Sequence, residues 1–320
     1  MSAIRKPGKI NDNTTLIDVG MQGVHGITAV YLIQGARKCL IDGGTRTEAP
    51  LLVKNLKALD AFPPDLILTT HPHWDHAQGI PWLRKEAASL GKKIEVLAGK
   101  DALPLLADAS FNDIFGKGPY ESIQDVTPVQ EGDTIDLGGI ILRIYEVPGH
   151  CRGHVAILDE KNRNLFVGDA LGGKPGDQFF FPPFMPPTWD PDAYLASVEK
   201  LKQLPYQTLC LAHFGCIYGD EARNILDESL KNYQRWWQWY GKHADRLSDT
   251  DYMLKMMRQE INPVIPEIKP VTSTLKVMFG LMSAVTSILG TRTAMIDKLA
   301  CGDLVSWLGA GYSMGKNKSG

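Results

Sequence analysis

TTHPHWDHAQG, residues 69–79, places three histidines and an aspartate within six positions, directly after the apolar run DLIL at 65–68. Imidazole and carboxylate side chains favour water or a metal over an apolar setting. A polar turn with surface histidines would meet the first preference, and a metal centre the second. The preceding run is short and apolar enough to be a buried strand. The histidines therefore emerge from a loop at that strand's C-terminal edge, where layered α/β architectures place their ligand sites.

The 320 residues are 44% apolar and 22% charged with a net charge of −2, which suits a globular chain with a large core and at most about three domains. So even a balance leaves no basic stripe for polyanions, and no nucleic-acid partner is expected. The N-terminal MSAIRKPGKINDN lacks the apolar core of a signal peptide. Five cysteines, at 39, 151, 210, 216 and 301, are odd in number and irregularly spaced, which argues for reduced thiols in a cytoplasmic protein. VMFGLMSAVTSILGT, 277–291, is shorter than the ~20 residues a bilayer requires, so no membrane span is expected.

From residue 14 to about 219 short β-like runs alternate with amphipathic ones. TLIDV, ITAVYLI, KCLIDGG, DLILTT, IEVLAG, ILRIYEV, HVAILDE, NLFVGD and QTLCLA read as strands. APLLVKNLKALDAF, IPWLRKEAASL and PDAYLASVEKLKQL read as helices, the last capped by Asp190 with Pro191 in its first turn. This pattern predicts a layered α/β domain over residues 1–219. Beyond Gly219 the strand signal stops, and 220–320 reads as a helical C-terminal extension. GKNKSG at the end is a polar tail.

Three further strand ends carry the same chemistry. His150 follows ILRIYEV and a Pro-Gly turn, Asp169 ends NLFVGD, and His213 follows QTLCLA. Imidazoles with carboxylates are the donor set for Zn²⁺ or non-haem iron, and seven donors suffice for two adjacent cations. Cys151 and Cys216 neighbour these residues, but adjacent side chains of an extended segment point opposite ways. Both read as buried small hydrophobes.

HxHxDH, a later PGH, a GDA after a strand and a final His together resemble the metallo-β-lactamase superfamily over about residues 14–219. The resemblance implies an αββα sandwich. It also implies that His71, His73 and His150 hold one metal and Asp75, His76 and His213 a second, with Asp169 bridging. Two divalent ions follow, zinc first, with iron or manganese as alternatives. Asp169 stands where the true zinc β-lactamases depart from this pattern, so antibiotic hydrolysis is not expected. His150 lies in a turn free to face the sheet edge, whereas His154 begins the next strand and reads as a supporting or packing residue.

Within the superfamily the layout is similar to glyoxalase II-like thioesterases and to quinolone-signal response protein-like acyl-CoA thioesterases. The final ligand lies in AHFGC rather than a GHEY-like context, and no basic and tyrosine set for glutathione is evident. The implied reaction is metal-dependent hydrolysis of a small-molecule acyl thioester. In it a hydroxide held between the cations attacks, with Asp75 and Asp169 as the catalytic carboxylates. Lactone hydrolysis on the same metal pair is the alternative. From another class come an iron-dependent sulfur oxidoreductase and a regulatory protein with residual hydrolase activity. A homodimer stays open.

The aromatic loop KPGDQFFFPPFMPPTWD, 174–190, predicts either an acyl-pocket wall at Phe180, Phe184 and Trp189 or glue for the C-terminal helices. YQRWWQWY, 233–240, puts Trp236, Trp237 and Tyr240 on one helical face, for core packing or as a pocket lid. Thioesters rank first because a thiolate leaves with little protonation. His25, His154 and Tyr218 are the remaining candidates for an acid, and the sequence places none of them at the site.

Overall fold

The computed structural model describes residues 3–264, 269–270 and 292–318, with side chains described for 3–264 and 301–318. Its strands are β1 (Ala3–Ile4), β2 (Gly8–Lys9), β3 (Thr14–Asp18), β4 (Val24–His25), β5 (Ala29–Gln34), β6 (Lys38–Ile41), β7 (Leu66–Thr69) and β8 (Glu95–Gly99). They continue as β9 (Val126–Val129), β10 (Thr134–Asp136), β11 (Ile141–Glu146), β12 (Val155–Asp159), β13 (Asn164–Gly168), β14 (Thr208–Leu211), β15 (Gly215–Tyr218) and β16 (Lys269–Pro270). The helices used below are α1 (Ala49–Ala58), α2 (Trp74–Ala77), α3 (Ile80–Ser89), α4 (Leu103–Ala107), α5 (Pro191–Lys202) and α6 (Asp220–Lys242), with a C-terminal helix Arg292–Lys318.

Two seven-stranded sheets face each other, one ordered β2-β3-β5-β6-β7-β8-β9 and the other β1-β15-β14-β13-β12-β11-β10. Strand periodicity explains the layering. In β5, Ala29, Tyr31 and Ile33 enter the core between the sheets, while Val30 and Leu32 meet Leu52 and Leu56 of α1 and Leu83 of α3. In β12, Val155 and Ile157 face the inner core, and Ala156 and Leu158 face Tyr194 and Val198 of α5. Such strands are buried on both faces, so they read as continuous apolar runs and need helices outside. The result is the αββα sandwich. Each fully buried Leu or Ile contributes about 1.5–3 kcal/mol relative to exposure, which holds the outer helices in place.

The strands and helices predicted for residues 14–219 all form, and the Asp190 carboxylate accepts from the Ala193 N–H at 3.0 Å, capping α5. Seven described strands escaped the sequence reading. β9 holds Pro128, and Pro is tolerated there because β9 is a sheet edge. β1, β2, β4, β10, β15 and β16 have four residues or fewer, too short to show a period, and β16, paired with β4, is a strand within the stretch read as helical.

Strand structure in the sandwich ends at Tyr218, and α6 starts at Asp220. Ile225, Leu226, Trp236 and Tyr240 of α6 share one hydrophobic cluster with Leu165, Val167 and Leu209 of the sheet and with Val305 and Leu308 of the C-terminal helix. Trp236 and Tyr240 are therefore core residues. No described helix is long and apolar enough to cross a membrane, and the stretch 277–291 lies outside the described residues.

Candidate metal centre

Strand direction brings the four strand ends together. β11 and β13 are each antiparallel to β12, so they point the same way, and β14 runs parallel to β13. Their C-terminal ends lie at one edge and deliver His150, Asp169 and His213. From the facing sheet, the loop after β7 and helix α2 deliver His71, His73, Asp75 and His76. All seven side chains are buried as residues. Gly168 makes the approach feasible, because a Cβ there would lie 2.7 Å from Thr70 Oγ1 and 2.8 Å from His154 Nε2. Its φ of +49° is also left-handed, which favours glycine.

The donors form two overlapping groups. In the first, His73 Nδ1 lies 3.1 Å from His71 Nε2 and 3.0 Å from His150 Nε2. In the second, His213 Nε2 lies 3.2 Å from Asp75 Oδ2, and His76 Nε2 lies 3.7 Å from the same oxygen. Asp169 spans both groups. Its Oδ1 is 3.5 Å from His76 Nε2, and its Oδ2 is 3.3 Å from His213 Nε2 and 3.7 Å from His150 Nε2. Within each triad, His71–His73–His150, His71–His76–Asp169 and Asp75–His76–His213, the donor atoms lie within 4.8 Å of one another.

Outer hydrogen bonds set the tautomers. His150 Nδ1 donates to Pro183 O at 2.6 Å, and His213 Nδ1 to Ile27 O at 2.8 Å. His76 Nδ1 donates to Asp42 Oδ2 at 2.9 Å. Thr70 Oγ1 sits 3.0 Å from both Asp42 oxygens, so its hydrogen goes there and it accepts from His71 Nδ1 at 3.1 Å. A neutral imidazole with Nδ1–H presents a lone pair at Nε2. Lone-pair nitrogens about 3 Å apart repel unless a cation sits among them. His76 Nε2 and Asp169 Oδ1 are also buried without a hydrogen-bond partner. This donor set fits metal ions.

Charge divides the cluster. Burial holds His71, His73 and His150 below the ordinary imidazole range, which favours neutral, metal-ready rings. Burial opposes charge on His213 as well, but Asp169 and Asp75 outweigh it and push the imidazole up to about 10. His76 is raised for the same reason, with burial overcome by Asp169 and Asp75. Burial would raise the Asp169 carboxyl, but His213 and His76 hold it well below the usual range. Asp75 is lowered in the same way by His76 and His213 against burial.

His154 lies outside the donor groups. Its Nε2 accepts from the Asp169 N–H at 3.2 Å, and its ring stacks on His71 at 4.7 Å. It steadies two members of the cluster. His25 is half exposed and bound to Asp18 at 3.1 Å, and Tyr218 is exposed on β15. Cys151 and Cys216 are fully buried.

The aromatic loop divides. Phe181 approaches His213, with ring centroids 5.7 Å apart. Phe180 is buried under Lys174, whose ammonium lies 5.3 Å from its ring. Phe184 and Trp189 correct the pocket-wall expectation. Both are 0% exposed and pack against Tyr233, so they have no surface left for a ligand. The loop's backbone serves the site instead, through Pro183 O.

Several residues at the site were missed. Asp42, at the end of β6, binds Thr70 and His76, and a strand-end Asp in KCLIDGG was its only signal. Phe111 and Phe115 lie in the 3₁₀ segment Ala109–Phe115, with centroids 5.9 and 5.1 Å from that of His73. Trp307 of the C-terminal helix meets Phe115 at 5.3 Å and Trp74 at 6.3 Å. No local pattern marks these long-range contacts.

A strand-end histidine–aspartate cluster at one edge of an αββα sandwich defines a class, and the sequence agrees. The profile of the metallo-beta-lactamase superfamily matches residues 23–213, and the chain belongs to that superfamily. It is similar to hydroxyacylglutathione hydrolase from Methylobacterium sp. (strain 4-46), 34% identical over 106 residues, or 33% of each chain. The chain thus spans about a third of that relative's length. Hydroxyacylglutathione hydrolase from Yersinia pestis (strain Pestoides F) is 28% identical over 212 residues, 64% of this chain and 70% of the relative. The metallo-beta-lactamase superfamily protein ST1585 from Sulfolobus tokodaii superposes with a TM-score of 0.53 at 26% identity, covering 68% of this chain and 85% of that one. A B3 metallo-beta-lactamase with an active-site glutamic acid shares the fold, at TM-score 0.55 and 22% identity over 72% of this chain and 90% of that chain.

Proposed function

We propose that the protein is a dinuclear metal-dependent hydrolase that cleaves acyl thioesters. The observation that carries the reading is Asp169, whose two oxygens face histidines of both donor groups. His71, His73 and His150 would hold one cation, Asp75, His76 and His213 the other, and Asp169 both. Imidazole and carboxylate donors suit zinc first and iron or manganese next. A cation pair supplies Lewis acidity to a carbonyl oxygen and activates water beside it.

The chain's own residues position and protonate. Asp42, Thr70, Ile27 O and Pro183 O fix the histidine rings and keep their facing nitrogens free. Asp75, with 12% of its side chain exposed against 8% for Asp169, is the more open carboxylate. It accepts the proton of the attacking water.

The leaving group decides the substrate class. Of the three acids offered by the sequence, His154 accepts from Asp169 N–H, His25 pairs with Asp18, and Tyr218 is exposed. None is set to protonate a poor leaving group such as an alkoxide. A thiol near pKa ~8.5 departs as thiolate without that help. The hydroxyacylglutathione hydrolase relatives, whose name denotes a thioester substrate, support the same class. The buried cysteines 39, 151, 210 and 216, none in a disulfide, support a reducing, cytoplasmic setting.

The test compares kcat/KM for a thioester, an oxygen ester and a lactone of matched acyl group, each divided by its rate in buffer. The thioester is expected to gain most. Equal ratios, or preference for the lactone, would overturn the thioesterase reading.

A further inference from the structure

The C-terminal helix reaches the metal centre from a distant part of the chain. Trp307 bridges two hydrophobic clusters, one under α5 and α6 and one under α1 and α3. Its ring meets Phe115 at 5.3 Å, and Phe115 meets His73 at 5.1 Å. On the same helix face, one turn earlier, Asp303 Oδ2 pairs with Lys117 Nζ at 2.6 Å. Lys117 Nζ also lies 5.7 Å from the Trp307 ring centre.

The segment from α4 to Ile123 is fastened just as firmly over the HPHWDH loop. Asn112 Nδ2 donates to Pro72 O at 3.1 Å. Gln78 exchanges two hydrogen bonds with the Glu121 backbone, at 3.0 and 2.8 Å. Phe111 and Phe115 are buried beside His73, whereas Trp307 keeps partial exposure. The aromatic surface therefore starts at a metal-ligating ring and ends at a half-open indole. Its chemistry is apolar, and the cation beside it, Lys117, is already paired with Asp303.

We propose that Trp307, with Phe115 and Phe111, is the wall that receives the apolar arm of the acyl group and sets acyl selectivity. The assignment rests on the hydrolase reading for the reaction but not for binding. Phe181, beside His213, lies at the other donor group, so the two arms of a thioester have separate aromatic surroundings.

Carboxylate products serve as probes. Acetate, hexanoate, decanoate and phenylacetate are titrated calorimetrically into metal-loaded full-length protein, as wild type, Trp307→Ala and Trp307→Phe. Wild-type affinity is expected to rise with apolar size. Trp307→Ala should weaken decanoate roughly tenfold, a fraction of the transfer free energy of an alkyl chain, and leave acetate and metal content unchanged. Trp307→Phe should restore most of the loss. Wild-type protein that binds acetate and decanoate equally would overturn the wall, as would a Trp307→Ala variant that shifts all four acids alike. The wild-type comparison stands even where a variant fails to fold. Size-dependent binding abolished by Trp307→Ala, in a protein that cleaves no thioester, would support the wall and overturn the reaction.

Discussion

His150 Nε2 lies 3.0 Å from His73 Nδ1, although the His150 proton is committed to Pro183 O on the other side of the ring. Two such nitrogens are held in contact by the fold, and a cation between them would relieve the repulsion. His150→Ala should therefore lose one metal and nearly all hydrolysis. His154→Ala removes a partner of the Asp169 backbone and the ring stacked on His71, and should cost about 10–100-fold in activity or metal affinity. Metal analysis and kinetics on both variants check the ranking, and the reverse order would show that the ligand is His154.

Asp42 touches no donor atom of the cluster directly, yet it takes the Nδ1–H of His76 and the hydroxyl of Thr70. Asp42→Asn keeps the size and removes the charge. We expect metal affinity to fall about 10–100-fold with the fold intact. Chelator competition against wild type measures it, and unchanged affinity would remove Asp42 from the site.

Proton release follows from the two raised histidines. In metal-free protein His213, pushed up to about 10, and His76 are charged at neutral pH. A raised folded-state pKa stabilises the fold fully below the ordinary 6.5 and loses that stabilisation as pH rises through about 10. Metal-free protein should thus weaken as pH climbs across that window. A cation needs both rings neutral, so metal loading at pH ~7 should release about two protons. Calorimetry in buffers of different ionisation enthalpy counts them, and no net release would contradict the charge pattern.

Phe184 provides the contrast to Trp307. Its fully buried ring meets Trp189, Tyr233, Trp237 and Tyr240. Phe184→Ala should cost about 3–5 kcal/mol of stability without altering acyl preference among folded molecules. Denaturant midpoints and the substrate series together decide it. A change in preference at unchanged stability would restore Phe184 to the pocket.

The clustering of the histidines and aspartates was legible because each is a chemically distinctive residue at the end of an apolar run, and strand direction alone carries such ends to one edge. The double-sided strands were legible for the same reason. What escaped is long-range or short. Asp42 resembles any turn aspartate until the fold brings it to His76. Phe111, Phe115 and Trp307 converge from segments nearly 200 residues apart in sequence. The aromatic loop was visible, but burial against α6 or exposure beside the metals depends on which way each ring points, and Phe184 and Phe181 point differently. β9 and β15 are too brief for periodicity to register.

The most direct test of the dinuclear centre is metal stoichiometry read against activity. Protein produced in metal-supplemented medium is analysed for its elements, then stripped and reloaded stepwise while hydrolysis of an acyl thioester is followed. Full activity is predicted only as occupancy approaches about two ions per chain. A fully active protein holding a single ion would contradict the account.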